Sequence, residues 1–305
     1  MAEARQFLAL AGFRNTVFVG GVSGLRAALQ SATAVMAGVT DRIGVPADFA
    51  SLYGRIGLEF RFDGGGLLRC RGAYDVRRRM IILEGPADQF VFAYAFSQAL
   101  DHMLGDLLHG VSHSAISSPL LSAALPRYLG SGYRHERLNL LAPGILRVRF
   151  EGLPALKNGY RPYGEFCKKE GDLAYEWVRS VVALRWRARE DGWVVRTQAF
   201  EEALRTEGRQ NPEWAAPQNM MARAFAAWAA PKTGEAFQGL KVGPVTSDGS
   251  HGNGIDRRTL RIMEALRPIL RAAALEWRER VETRMAVIED DEVNQGLAMA
   301  PGGVA

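Results

Sequence analysis

The sequence predicts an α+β protein: a small antiparallel sheet in the N-terminal part, then a helical half built around one central apolar helix. Three observations lead there. Short β-branched and aromatic runs divided by glycines cluster before residue 85, and apolar residues at three- and four-residue spacing dominate after it. No βαβ unit repeats along the chain. The 305 residues read as one domain over 1–288, sheet-rich at 10–85 and helical at 86–288, with an irregular stretch at about 114–163. The acidic tail, 289–305, reads as disordered.

Taken in order, residues 1–13 are a short lead of mixed polarity. Thr16–Val19 is a strand, and Gly20-Gly21-Val22-Ser23-Gly24 turns into a helix running to about Gly38. A strand, a Gly-rich turn and a helix also open a dinucleotide-binding unit, and Asp41 lies at about the distance of a ribose-binding acid. That reading needs a second strand promptly after the helix and a repeat of the unit. The sequence offers neither, so a plain turn and helix start is preferred. Pro46 begins a short helix to about Tyr53. Leu58–Phe62, Leu67–Arg71 and Met80–Leu83 then form an antiparallel meander, divided by glycines 64–66 and a turn near Asp75. The triple glycine has no Lys-Ser/Thr after it and is not a phosphate cradle.

Phe90 to Asp106 is the central helix. Phe92, Phe96, Ala99 or Leu100, and Met103 make its apolar face, and it is too short to cross a membrane. His102, Asp106, His109 and His113 fall at i, i+4, i+7 and i+11 if the helix runs on. Such a stripe could hold a metal and serve a rebuilt catalytic centre. Gly110 weakens the helix, however, and HGVSH holds no carboxylate to act as base, so histidines at a helix end are preferred.

Pro119, Pro126, Pro143, Pro154 and Pro162 break up residues 114–163, leaving one strand at Ile145–Phe150. Helices follow at Leu173–Arg187, at about Thr197–Thr206 and at Met220–Ala229, and Gly234–Gly254 is an exposed connection. The last helix runs from Arg257 to about Ile288 with an apolar stripe of Leu260, Met263, Leu266, Leu270, Trp277 and Val281. Pro268 is expected to kink or divide it, and acidic Glu289–Glu292 to close it.

The formal charge of +5 comes mostly from Arg, and a pI near 9.4 permits contact with nucleic acid. The candidates are Arg69, Arg71, Arg77, Arg78 and Arg79 on the meander, with Arg267, Arg271 and Arg278 off the final apolar stripe. A charge of +5 over 305 residues is dilute, so a solvated face is preferred and any such binding is expected to be weak. No run approaches 18 apolar residues, and no basic segment followed by an apolar block opens the chain. Cys70 and Cys167 make neither a disulfide framework nor a zinc knuckle, which points to a reducing cytoplasm.

The central helix also has the outline of a metallopeptidase helix without its chemistry. In the His-Glu-x-x-His motif two imidazoles one turn apart reach a single zinc, and the Glu takes a proton from the metal-bound water. The corresponding residues are Tyr94, Ala95, Phe96, Ser97 and Gln98, followed by Ala99-Leu100-Asp101-His102-Met103-Leu104-Gly105. That continuation resembles the ALDH-aromatic-LG tail in the zincin-like domain of large polyvalent proteins from phages and mobile elements.

Further likeness lies in Phe13-Arg14 with Val17–Gly20, in Gly57–Phe60, and in Pro217-Gln218-Asn219-Met220-Met221-Ala222-Arg223-Ala224-Phe225. In that family the last segment reads P-x-E-hydrophobic-F-A-R-A-F, and its Glu is the third zinc ligand; Asn219 stands there. The resemblance therefore implies a zincin-like domain whose metal-site positions are Tyr94, Ala95, Gln98 and Asn219, with no cofactor and no catalytic residue. Phenol and carboxamide are poor ligands for zinc, so the family's hydrolysis is not expected.

Three functions follow as expectations. The first is an inactive zincin in a phage or mobile-element setting, a binding accessory or anti-defence factor whose partner is a host or phage protein, in the host cytoplasm and away from membranes. The second is a metalloenzyme rebuilt at His102, His109 and His113. The third is a virion or assembly component.

Overall fold

The computed structural model describes residues 2–20, 25–61, 72–84, 89–109, 122, 173–188, 194–203, 216–230 and 257–298. These form an α+β fold with a four-stranded mixed sheet. Its strands are β1 (Thr16–Val19), β2 (Gly57–Arg61), β3 (Gly72–Asp75) and β4 (Met80–Glu84), in the order β1-β2-β4-β3.

The antiparallel meander expected from the sequence is corrected. β1 pairs with β2 in parallel, Thr16 opposite Leu58, and β2 pairs with β4 in parallel, Gly57 opposite Met80. Among the described strands of this sheet only β3 and β4 pair antiparallel. The reason lies in the connections. Parallel neighbours need a crossover of a dozen residues or more, and α2 (Leu25–Ile43) supplies it between β1 and β2. A βαβ crossover is therefore present where none was expected. Asp41 nevertheless sits inside α2 and not at the end of β2, where a ribose-binding acid belongs. The glycine turn at 21–24, the expected strands at 67–71 and 145–150, and all of 114–163 except Ser122 lie outside the described residues.

Alternation along the strands sets two faces. Leu58, Phe60, Ile81, Leu83 and Tyr74 point into the main core. Glu59, Ile82 and Ala73 point the other way. Glu59 is buried there between Arg61 and Arg78. Burial alone would raise its carboxyl, but hydrogen bonds and charge from the two arginines outweigh that and hold it below the usual carboxylate range.

The expected short lead is a helix, α1 (Ala2–Ala11), closed by Gly12 at φ +60°. α2 likewise runs past Gly38 to Ile43 and is closed by Gly44 at φ +79°. A 3-10 turn (Ala47–Ser51) then leads into Leu52 and Tyr53, both left-handed at φ 51° and 57°. Amide bonds from Leu52 to Phe49 O, from Tyr53 to Asp48 O and from Gly54 to Ser51 Oγ hold that conformation. It aims the Tyr53 hydroxyl at the Ala274 carbonyl of the last helix, to which it donates.

The central helix, α3 (Gln89–His109), is buried along most of its described length. Phe96 packs on Phe49, Phe92 and Phe225, with ring centroids 5.8, 5.8 and 6.2 Å apart. Phe225 belongs to α6 (Pro217–Ala229) and also meets Trp177 and Trp228. Trp177 lies on α4 (Leu173–Arg185).

α4 stops at Arg185, earlier than expected, because Trp186–Ala188 (β5) turns into a hairpin with Val194–Arg196 (β6). Thr197 Oγ1 donates to Leu184 O at 2.6 Å and accepts from Phe200 N, capping α5 (Gln198–Glu202). The final helix, α7, spans Arg257–Ala298, so neither Pro268 nor the acidic stretch at 289–292 ends it. Pro268 is exposed, as is Glu264 four residues back, whose carbonyl has no intrahelical donor from the proline. Met263, Leu266, Leu270 and Ala274 form the buried stripe.

Candidate functional site

Residues 94, 98, 101 and 102 recur on one side of a 3.6-residue helix, so α3 carries Tyr94, Gln98, Asp101 and His102 as a polar seam on an otherwise apolar rod. Each of these side chains finds a partner outside α3. The Tyr94 hydroxyl donates to Asn219 Oδ1 of α6 at 3.1 Å. Gln98 Nε2 donates to the same oxygen at 3.2 Å. Gln98 Oε1 accepts from the Tyr74 amide of β3 at 3.4 Å, which covers an outward N–H of that edge strand. Tyr94 is buried, Gln98 and Asn219 are partly buried, and Ala95 lies wholly within the core.

The spacing of Tyr94 and Gln98 follows from one turn of helix, but their meeting with Asn219 depends on how α6 packs. Pro217 opens α6 at its first position, where its missing N–H costs nothing, and Asn219 follows within the first turn. Buried Ala222, Ala226 and Phe225 further along α6 keep it close to the aromatic face of α3. The three positions assigned to metal ligands by the resemblance therefore converge on one oxygen. Their donor set, one phenol and two carboxamides beside the methyl of Ala95, does not suit zinc, which takes imidazole, thiolate or carboxylate.

One turn further along α3 lies a group not picked out from the sequence. Asp101 is buried, and its Oδ1 accepts three bonds: from Ser122 N at 3.0 Å, Ser122 Oγ at 2.9 Å and Trp177 Nε1 at 2.9 Å. Among the described residues its Oδ2 is buried without a partner. Burial pushes the carboxyl up to about 7, against the pull of its three donors. A carboxylate inside a strongly apolar helix was the available signal, because such a residue must be paired or protonated.

Of the alternative metal stripe only His102 has a described side chain. His102 is buried, and its Nδ1 shares a hydrogen bond of 2.7 Å with the Tyr74 hydroxyl of β3. α3 reaches His109, but the side chains of Asp106 and His109, and the whole of His113, lie outside the described residues. Among the described residues no three His, Cys, Asp or Glu stand together as a metal would require.

Of the arginines proposed for nucleic acid, Arg69 and Arg71 lie outside the described residues, and Arg77, Arg78 and Arg79 are exposed on the β3–β4 turn. Arg78 pairs with Glu59. Arg267 pairs with Glu264 at 2.8 Å, Arg278 pairs with Glu282 and Asp48, and Arg271 is exposed beside Gly44. Several thus already have intramolecular counter-ions. No helix of the described residues is long and apolar enough to cross a membrane.

No family model, curated protein or solved structure matches the chain.

Proposed function

We propose that this chain is a non-hydrolytic relative of zincin-like metallopeptidases that serves as a binding accessory or anti-defence factor of a phage or mobile element, meeting a host or phage protein. The observation that carries the reading is the convergence of Tyr94 and Gln98 on Asn219 Oδ1. Two side chains four apart on one helix and a third from another helix reproduce the layout of a three-ligand metal site in neutral hydrogen-bonding groups.

The substitutions have a physical logic. A zinc site carries a +2 ion offset in part by glutamates. Without the ion, buried carboxylates would repel each other and lack solvation, at a cost of several kcal/mol. Ala95 and Asn219 avoid that charge, while Tyr, Gln and Asn can donate and accept, so the helices stay joined by hydrogen bonds. On this reading the scaffold is retained for its surface and the hydrolytic chemistry is given up.

Metal analysis of the purified chain, paired with a peptidase assay in added zinc, tests the proposal. The expected result is substoichiometric metal and no zinc-dependent cleavage. One tightly held metal per chain, with peptide cleavage lost in a Gln98→Ala variant, would sink it. Co-purification from host lysate, with the bound protein identified and its binding reproduced between pure components, tests the accessory role.

A further inference from the structure

β1, β2 and β4 run parallel, so their starting ends lie side by side. Each is entered through arginine: Arg14 before β1, Arg55 before β2, and Arg77, Arg78 and Arg79 before β4. Backbone bonds tie these entries together. The Arg14 amide donates to Ile56 O at 3.0 Å, and the Gly57 amide donates to Arg79 O at 2.8 Å. With neighbouring strands about 4.8 Å apart, the three entries span roughly 10 Å. All five arginines are exposed.

Only Arg77, Arg78 and Arg79 adjoin in sequence; the order of the sheet brings Arg14 and Arg55 to them. Among the described residues, the acids that hydrogen bonds or ion pairs place on this rim are Asp75 and Glu59. Asp75 Oδ1 accepts from the Arg77 and Arg78 amides at 2.9 and 3.1 Å. Glu59 is shared between Arg61 and Arg78. Arginine is therefore in excess along one end of the sheet. Arg79 also adopts φ 52°, a left-handed conformation that glycine would take at less cost.

Beside the rim stands an exposed aromatic ring. Phe18 is two residues into β1, roughly 7 Å from its start. Its ring stacks on buried Phe60, with centroids 5.4 Å apart and planes 6° apart. The residue is still 43% exposed, at the edge of the sheet.

Guanidinium forks bind phosphate, and an open aromatic face accepts an unpaired base. An acidic protein would use the charges but not the ring, and a membrane surface calls for an apolar face wider than one ring. The bases of a duplex are stacked on each other and closed to it. We propose that Arg14, Arg55, Arg77, Arg78 and Arg79, with Phe18, form a binding site for single-stranded nucleic acid. Its phosphates lie along the rim and one base stacks on Phe18. The site shares no residue with the Tyr94–Gln98–Asn219 cluster, so it stands or falls independently of the reading of that cluster.

The test is fluorescence anisotropy of a labelled single strand of about twelve nucleotides with the full chain, across a salt series. The dissociation constant should be on the order of micromolar at about 50 mM salt. Log affinity should fall against log salt with a slope of about −2 to −3, as roughly three or four phosphate contacts require. Arg14→Gln with Arg55→Gln should reduce that slope by about 1.4. Two charges removed from α7, by Arg261→Gln with Arg271→Gln, should leave it unchanged. Phe18→Leu, which still covers Phe60, should weaken binding about tenfold at the same slope. If the rim variant does not fold, Arg77→Gln on the exposed turn carries the comparison, with a slope reduced by about 0.7. No binding at low salt, equal losses from the rim and α7 pairs, or full affinity in Phe18→Leu overturns the site. So does a preference for the matching duplex, or for mixed phosphatidylcholine–phosphatidylserine vesicles, over the single strand.

Discussion

The Tyr94 hydroxyl and Asn219 Oδ1, 125 residues apart in sequence, meet at 3.1 Å where α3 crosses α6. Asn219 accepts from Gln98 as well, so one carboxamide oxygen ties two turns of the central helix to its neighbour. Removing that oxygen takes away an acceptor that two donors share in a partly buried place. Asn219→Ala should therefore cost about 1–3 kcal/mol, read from urea unfolding. A change under about 0.5 kcal/mol would mean that the cluster is solvated and holds nothing together.

Asp101 makes stability depend on pH in an unusual direction for a carboxylate. Its folded pKa, about 7, lies above the unfolded value near 3.8, so the folded chain holds the proton more tightly. The contribution is full below the unfolded pKa, is lost as pH rises toward 7, and is flat above that. Asp101→Asn keeps an acceptor for Ser122 and Trp177 but does not titrate. Between pH 5 and pH 8 the native chain should lose roughly 2–3 kcal/mol relative to this variant. A constant difference across that range would show that Asp101 does not change its charge there.

Glu59 behaves in the opposite sense. Arg61 and Arg78 hold its pKa below the ordinary value, so its contribution is present at neutral pH and fades as pH falls through the folded pKa. Glu59→Gln should destabilise the chain at pH 7 by about 1–3 kcal/mol, with a smaller penalty in acid. A penalty that does not shrink in acid would assign the effect to packing and not to charge.

Gly72 tests how closely the sheet edge lies on the central helix. A Cβ placed there would come within 2.3 Å of Val91 Cγ1 and 3.2 Å of the Val91 carbonyl oxygen. The methyl can turn aside, but the carbonyl belongs to the helix backbone. Gly72→Ala should cost about 1–3 kcal/mol and weaken the contact between Gln98 and the Tyr74 amide. Unchanged stability would mean that β3 shifts freely on α3.

Several of these features were legible in the sequence, and for definite reasons. The core stripe of α3 and the shared face of Tyr94 and Gln98 follow from helical period alone. So does the stripe of Met263, Leu266 and Leu270 on α7. Strand partners were not legible, because a four-residue strand such as Thr16–Val19 has a period but no label for its neighbour. The strand at Gly72–Asp75 was missed because that stretch reads as turn chemistry, while its burial comes from α3 across the sheet edge. The hairpin at Trp186 was absorbed into a helix because its apolar residues continue the helical pattern without a break. The pairing of Asp101 with Ser122 and Trp177 joins positions 21 and 76 residues away, which no local spacing encodes.

The most direct test of the central claim is to return ligands to the three converging positions. Tyr94→His, Gln98→His and Asn219→Glu, combined in one chain, would place two imidazoles a turn apart against a carboxylate from α6. Zinc binding by the folded triple variant, followed by competition with a chromophoric chelator, is the measurement. The account predicts one zinc per chain and a raised unfolding midpoint in zinc, with neither seen in the native chain. A folded triple variant that takes up no zinc would contradict it.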